Sequence, residues 1–241
     1  MKPILQVDQL RYLHGEQVVL QEVDLSLEGG DFMTLIGPNG SGKTTLLRCL
    51  AGILAPASGR VLINGHDTAR ELRAARQSLG FAVDPVRLPP LLTGRECLQL
   101  FSGTRQLPAI PDASLELADI LALGPMLDRR IAHYSLGMRQ KLGILLGLLG
   151  NPPLLLLDEP LNGLDPLSAY ALKGHLQMLA HESNVAILVA THALDVAERF
   201  ASRAMLLMDG RLMRSWNRRE LGAIRADPDC SLEQSMMQAL V

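Results

Sequence analysis

The chain has 241 residues, 48% of them hydrophobic, and 23 Lys plus Arg against 25 Asp plus Glu leave a formal net charge of −2. This near-neutral balance argues against a protein that holds nucleic acid by bulk charge, and 3% aromatic residues are too few for base-stacking platforms. The apolar content excludes disorder, and the length suits one large domain or two small ones.

The N-terminus, MKPILQVDQL, is interrupted by Asp8 and followed by no small-residue cleavage site, so it is a poor signal peptide. Residues 4–8 and 18–27 alternate apolar and polar, the period of half-buried antiparallel strands. Phe32 to Ile36 forms a short apolar strand that runs into Gly37-Pro38-Asn39-Gly40-Ser41-Gly42. From Lys43 the pattern becomes helical, with Leu46, Leu47, Leu50 and Ala51 on one face, and it ends near Gly52. Arg60 to Gly65 is a strand closed by a turn signal, and Leu79 to Val83 is another short apolar run.

Between about 86 and 150 the character changes, because prolines at 85, 89, 90, 108, 111 and 125 separate helical patterns; this predicts an all-helical insert. The longest uncharged stretch, Leu142 to Leu157, has 16 residues. A spanning helix needs about 20, and Asn151-Pro152-Pro153 breaks this one, so it predicts a buried helix, a turn and a buried strand. Leu154–Leu157, Val185–Ala190 and Ala204–Met208 are apolar runs of strand length separated by helical spans. Strands alternating with helices imply an α/β fold with a largely parallel sheet covered on both faces. Ser231-Leu232-Glu233-Gln234 has capping-box spacing before a last short helix. Three scattered cysteines, Cys49, Cys97 and Cys230, make neither a disulfide framework nor a zinc pattern and fit a reducing compartment.

Two stretches carry chemistry. Gly37 to Thr44 fits G-x-x-x-x-G-K-[ST] at every fixed position, between a strand and a helix. Glycines let backbone N–H groups converge on phosphate oxygens, and the helix N-terminus adds its positive end. Lys43 supplies a point charge to the outer phosphates, and Thr44 offers a hydroxyl to magnesium. A glycine-rich turn with a chance lysine is the bland alternative, and residue frequencies give roughly 0.002–0.003 such matches per chain. Leu154 to Glu159 is a buried strand ending in two carboxylates, and in a parallel sheet that end lies beside the phosphate loop. Asp158 can reach magnesium through water, and Glu159 can polarise a water in line with the outer phosphate.

With these residues in order, the chain resembles the nucleotide-binding subunits of ABC transporters. Tyr134-Ser135-Leu136-Gly137-Met138-Arg139-Gln140-Lys141 is similar to the family's signature, Leu164-Asp165 in NGLDP to its D-loop, and Thr191-His192 after VAILVA to its switch histidine. Taken singly, Ser135 also suits an ordinary helix N-cap, His192 a strand-end histidine and Asp165 a turn acid before Pro166. The resemblance implies a P-loop cassette over 1–215, with a core of 1–85 and 151–215, a helical subdomain of 86–150, and a helical extension from 216. It implies that Gly37, Pro38, Asn39, Gly40, Ser41, Gly42, Lys43, Thr44 and Thr45 bind ATP. Thr44, Asp158 and Asp84 then serve Mg2+, Glu159 and His192 act in hydrolysis, and Asp165 belongs to the D-loop. Ser135, Leu136, Gly137 and Met138 would face the nucleotide of a second copy or a related subunit, because cassettes pair head to tail around two ATPs. Separate transmembrane permease subunits would be the other partner, at the cytoplasmic face of the membrane, and nucleic acid would not be one.

Three positions depart from the family pattern. Asp84 stands where a Q-loop glutamine is usual. The adenine-stacking aromatic falls on His14, with Tyr12 two residues earlier as the other ring. Leu136 and Met138 replace a glycine and a glutamine, a form similar to the branch that exports drugs and bacteriocins. The remaining readings are a soluble ABC ATPase of translation or repair, whose usual second cassette or coiled-coil insert does not fit this length, a GTPase, which would need an NKxD motif absent here, and a cassette without activity, against which Lys43, Asp158, Glu159 and His192 speak.

Overall fold

A computed structural model describes residues 2–82, 84–227 and 229–238. Two sheets carry the fold. The first is antiparallel and four-stranded, in the order β2-β1-β4-β5, from β1 (Leu5–His14), β2 (Gln17–Leu27), β4 (Ser58–Ile63) and β5 (His66–Asp67). The alternation of residues 4–8 stops at Asp8, yet the strand runs on to His14, because single-residue bulges absorb the break. Gln9 and Glu22 sit there at positive φ, and Gln9 N–H donates to Asp24 Oδ1 at 2.7 Å. Val19 is a further unpaired residue between the Tyr12–Leu20 and Leu13–Val18 pairs.

The second sheet has six strands in the order β10-β9-β3-β8-β7-β6. Its members are β3 (Phe32–Ile36), β6 (Leu79–Phe81), β7 (Leu154–Asp158), β8 (Ala186–Thr191), β9 (Arg203–Met208) and β10 (Arg211–Trp216). All pairs are parallel except β9–β10. Both faces are covered, which is why β7 reads as an unbroken apolar run. Leu155 and Leu157 face the helical side with Ile187 and Val189, while Leu154 and Leu156 face the antiparallel sheet together with Met33 and Leu35. Between the two sheets lies α1 (Lys43–Leu50), which buries Leu46, Leu47 and Leu50.

A short helix, α2 (Leu72–Gln77), connects the two sheets. Residues 86–150 carry α3 (Gly94–Thr104), α4 (Asp112–Ile120) and α5 (Leu136–Leu148), with 3-10 turns between them. A capping box starts α3: Thr93 Oγ1 accepts from Glu96 N–H at 3.1 Å and Glu96 accepts from Thr93 N–H at 2.8 Å. From Lys141 to Leu148 every residue of α5 is buried, so the uncharged stretch does form a buried helix, a turn and a strand. On the same side, α6 (Pro166–Ser183) covers β3 and β8, and α7 (Leu194–Arg199) packs on β3.

The β10 strand has no counterpart in the sequence reading. It is a polar edge strand, RLMRSW, whose only buried side chain is Trp216. Trp216 joins Leu221 and Ile224 of α8 (Arg218–Ala226) and Leu232 of α9 (Leu232–Gln238) in a third cluster that also holds Ile36 and Ala197. The predicted capping spacing closes as Ser231 N–H to Gln234 Oε1 at 3.2 Å and Gln234 N–H to Ser231 Oγ at 3.1 Å. Among the described residues no helix is long and apolar enough to cross a membrane.

Candidate functional site

Because β3, β8 and β7 are neighbours and parallel, their C-terminal ends share one edge. The phosphate loop leaves β3 there, Glu159 follows β7, and His192 follows β8. Gly40 and Gly42 take positive φ (83° and 105°), conformations that side chains resist. At Gly37 a Cβ would lie 2.2 Å from Leu207 O, so the β9 backbone presses directly on the loop. Gly42 caps α1 with no side-chain bond, leaving the first-turn N–H groups to face outward. The Lys43 ammonium is buried and donates to Gly37 O at 2.7 Å and Pro38 O at 3.1 Å. Gly210, in the β9–β10 turn, donates from N–H to Ser41 O at 3.1 Å and accepts from Gln21 N–H at 2.8 Å, tying loop and antiparallel sheet together.

A cleft of about 200 Å³ opens over this loop, lined by Val19, Asn39, Gly40, Gly42, Lys43, Thr44, Thr45, Asp158 and Glu159. The bulge in β2 contributes Val19, a residue that the sequence alone does not flag. Asp158 Oδ1 and Ser41 Oγ are buried with no partner among the described residues. Burial raises the Asp158 carboxyl above its ordinary value, opposed by the Thr44 hydroxyl. Glu159 sits at φ 44°, its N–H donating to Ala190 O at 2.8 Å. Its Oε2 accepts from Thr191 Oγ1 at 3.1 Å, while Oε1 accepts from His192 N–H at 3.1 Å and lies 2.8 Å from His192 Nδ1. Glu159 and His192 therefore form one hydrogen-bonded pair.

The other motifs gather elsewhere. Ser135 Oγ caps α5 by accepting from Met138 N–H at 3.2 Å, and Leu136 is 65% exposed. At Gly137 a Cβ would fall 2.4 Å from Gly163 O, so this turn sits tight on the backbone before Asp165. Asp165 caps α6 through Ser168 N–H at 2.9 Å and accepts from Ser168 Oγ at 2.7 Å and the buried Lys141 ammonium at 2.9 Å. These bonds hold its carboxyl well below the usual range. None of Ser135 to Met138, nor Asp165, lines the phosphate cleft. Asp84 does not either: its Oδ1 accepts from Val86 N–H at 3.0 Å, capping the 85–87 turn, and its other oxygen lies 3.8 Å from Arg87. Tyr12 packs partly buried on the core between the sheets, whereas His14 ends β1 exposed, and neither lines the cleft. Among the described residues no three His, Cys, Asp or Glu side chains form a metal cluster.

Comparison with known proteins decides what this edge belongs to. A family model described as ABC transporter matches residues 20–162. The chain belongs to the ABC transporter family. YdbJ, an uncharacterized ABC transporter ATP-binding protein of Bacillus subtilis (strain 168), is 36% identical over 212 residues, 88% of this chain and 68% of YdbJ. The bacitracin transport ATP-binding protein BcrA of Bacillus licheniformis is 31% identical over 216 residues, 88% of this chain and 69% of BcrA. Among solved structures, the dimeric post-hydrolysis state of the cassette MJ0796 bound to ADP and Pi superposes with a TM-score of 0.79 at 27% identity, covering 89% of this chain and 98% of that one. This chain is thus an ABC ATPase cassette with the P-loop α/β fold that its strand and helix pattern implied.

Proposed function

We propose that this cassette pairs head to tail with a second copy or a close relative, hydrolyses ATP between the two, and drives separate membrane-spanning subunits that export their cargo from the cytoplasmic side. The observation that carries the hydrolytic part is the Glu159–His192 pair on adjacent strand ends, beside the cleft that holds Lys43, Thr44 and Asp158. Glu159 takes the proton of the attacking water, and His192 holds that carboxylate in place while its Nε2 serves the γ-phosphate. Lys43 and the loop amides take the outer phosphates. Of the two rings near adenine, exposed His14 is the one that stacks, because Tyr12 is committed to the core.

The residues fit a magnesium ion, since a buried carboxylate oxygen without a partner among the described residues lies beside a threonine hydroxyl. Thr44 and Asp158 would hold it, and when bound it offsets charge on the outer phosphates. Asp84, spent on the 85–87 turn, stays outside this pair. The signature turn from Ser135 to Met138 lies off its own cleft, which supports its acting on a partner's nucleotide. Export is supported by the SLGM form of that turn and by similarity to a bacitracin transport protein.

The test is Glu159→Gln. It should bind ATP as the parent does, lose turnover about a hundredfold or more, and accumulate as an ATP-bound dimer. Parental phosphate release by this variant would remove Glu159 from the reaction. Export is checked with the complete assembly in vesicles of known orientation, where cargo moving toward the ATP side would reverse the assignment.

A further inference from the structure

We infer that Arg225, in the C-terminal extension, is a positioning residue for hydrolysis: it clamps the far end of the helix that begins two residues after His192. The inference rests on the Glu159–His192 reading above. That helix, α7, has six residues, and Ala193 at its start offers no side-chain cap. Helices below about 12 residues do not hold themselves in water, so the position of α7 is set by its neighbours.

On one side α6 supplies them. Lys173 Nζ lies 3.4 Å from Asp195 Oδ2 and 4.8 Å from the centre of the Phe200 ring, and Gln177 Nε2 donates to Phe200 O at 3.3 Å. On the other side the guanidinium of Arg225 donates from Nε to Glu198 O and from Nη2 to Ala201 O and, at 3.4 Å, to Ala197 O. Ala197 O and Glu198 O are last-turn carbonyls, and Ala201 O lies just past the C-cap Phe200, at the end where a cation is favoured. A planar fork suits three carbonyls better than a single ammonium does. Around it, Trp216, Leu221, Ile224 and Leu232 pack on Ala197 and on Ile36, the residue before Gly37. Trp216 Nε1 donates to Ser235 Oγ at 2.9 Å, closing α9 over the cluster.

The near end of α7 meets the reaction directly. Ala193 N–H donates to Thr191 Oγ1 at 3.1 Å, Thr191 Oγ1 donates to Glu159 Oε2, and His192 holds Glu159 Oε1. A shift of α7 therefore moves both supports of the Glu159 carboxylate, while Lys43 and the loop amides that grip ATP keep their own anchors. The clamp should govern turnover far more than binding.

The experiment compares Arg225→Ala and Arg225→Lys with the parent, as full chains. Arg225→Ala should lower kcat about tenfold with KM for ATP within about twofold, and Arg225→Lys should fall between. Hydrogen exchange should quicken at residues 192–199 and stay parental in α1. Turnover within about twofold of parental in Arg225→Ala overturns the inference, and so does a loss of ATP affinity that matches the loss of turnover. If Arg225→Ala does not fold, Arg225→Lys decides, with parental kcat counting against the clamp. Glu159→Gln, run alongside, separates the two readings: an inactive Glu159→Gln beside fully active Arg225 variants sinks the clamp alone.

Discussion

The phosphate loop and the signature turn treat their polar groups in opposite ways. Around the first, Ser41 Oγ and Asp158 Oδ1 are buried and unpaired among the described residues, and the helix start lacks a side-chain cap. At the second, Ser135 caps its own helix, while Asp165 is taken by Ser168 and Lys141. An unpaired buried polar atom costs free energy that a ligand can recover, so the first region is shaped for something bound. The second is a finished surface, held rigid by its internal bonds and presenting Leu136 outward. One chain thus carries a receptive region and a finished one, as the proposed head-to-tail pairing requires.

Asp158→Asn breaks the comparison most severely. ATP turnover should fall about a hundredfold or more, because the carboxylate proposed to serve magnesium is gone. Without nucleotide, the same variant should melt higher than the parent. The sign follows from the raised carboxyl: a group that binds its proton more tightly when folded favours the fold at low pH and loses that advantage as pH rises, so at neutral pH its charge is a burden. Calorimetry with and without ATP and Mg2+ reads both effects, and an unchanged or lower melting point of the ligand-free variant would contradict the unpaired-carboxylate account.

Asp165→Asn probes the finished half. Ser168 N–H, then Lys141, depress the native carboxyl, so its contribution is complete above the ordinary carboxylate range and fades as pH falls through the native value. Melting curves across pH should show the parent losing stability on acidification more steeply than the variant. Parallel curves would mean that the Ser168 and Lys141 bonds to this carboxylate add nothing. Leu136→Ala should do least, shifting stability by less than about 0.5 kcal/mol, because the side chain is mostly in solvent. A larger fall in a denaturant titration would show that the signature turn depends on that side chain.

Much of the receptive half is legible in the sequence because each part is local. LLLLDE and VAILVA read as buried strands, and the glycines that shape the loop are contiguous. What escapes depends on which strands become neighbours. Glu159 and His192 are far apart along the chain, and their bond exists because β7 and β8 pair in register. The second half of β1 escapes because Gln9 and Glu22 interrupt its period at bulges, and β10 because an edge strand needs little apolar content. Val19 reaches the cleft through another bulge, and Arg225 follows no pattern at all, since a clamp on helix carbonyls requires one long side chain in the right place. Asp84 is legible by its position in the sequence, whereas its cap on the 85–87 turn is seen only in the fold.

Gly210 has a consequence for how the protein is made. Its peptide links Ser41 and Gln21, and Leu207 from the strand before it backs Gly37. On the ribosome, the nucleotide pocket's own residues emerge well before the segment that braces them. Nascent chains stalled short of this turn would therefore expose an unfinished pocket, and ATP capture becomes a report that synthesis has passed it.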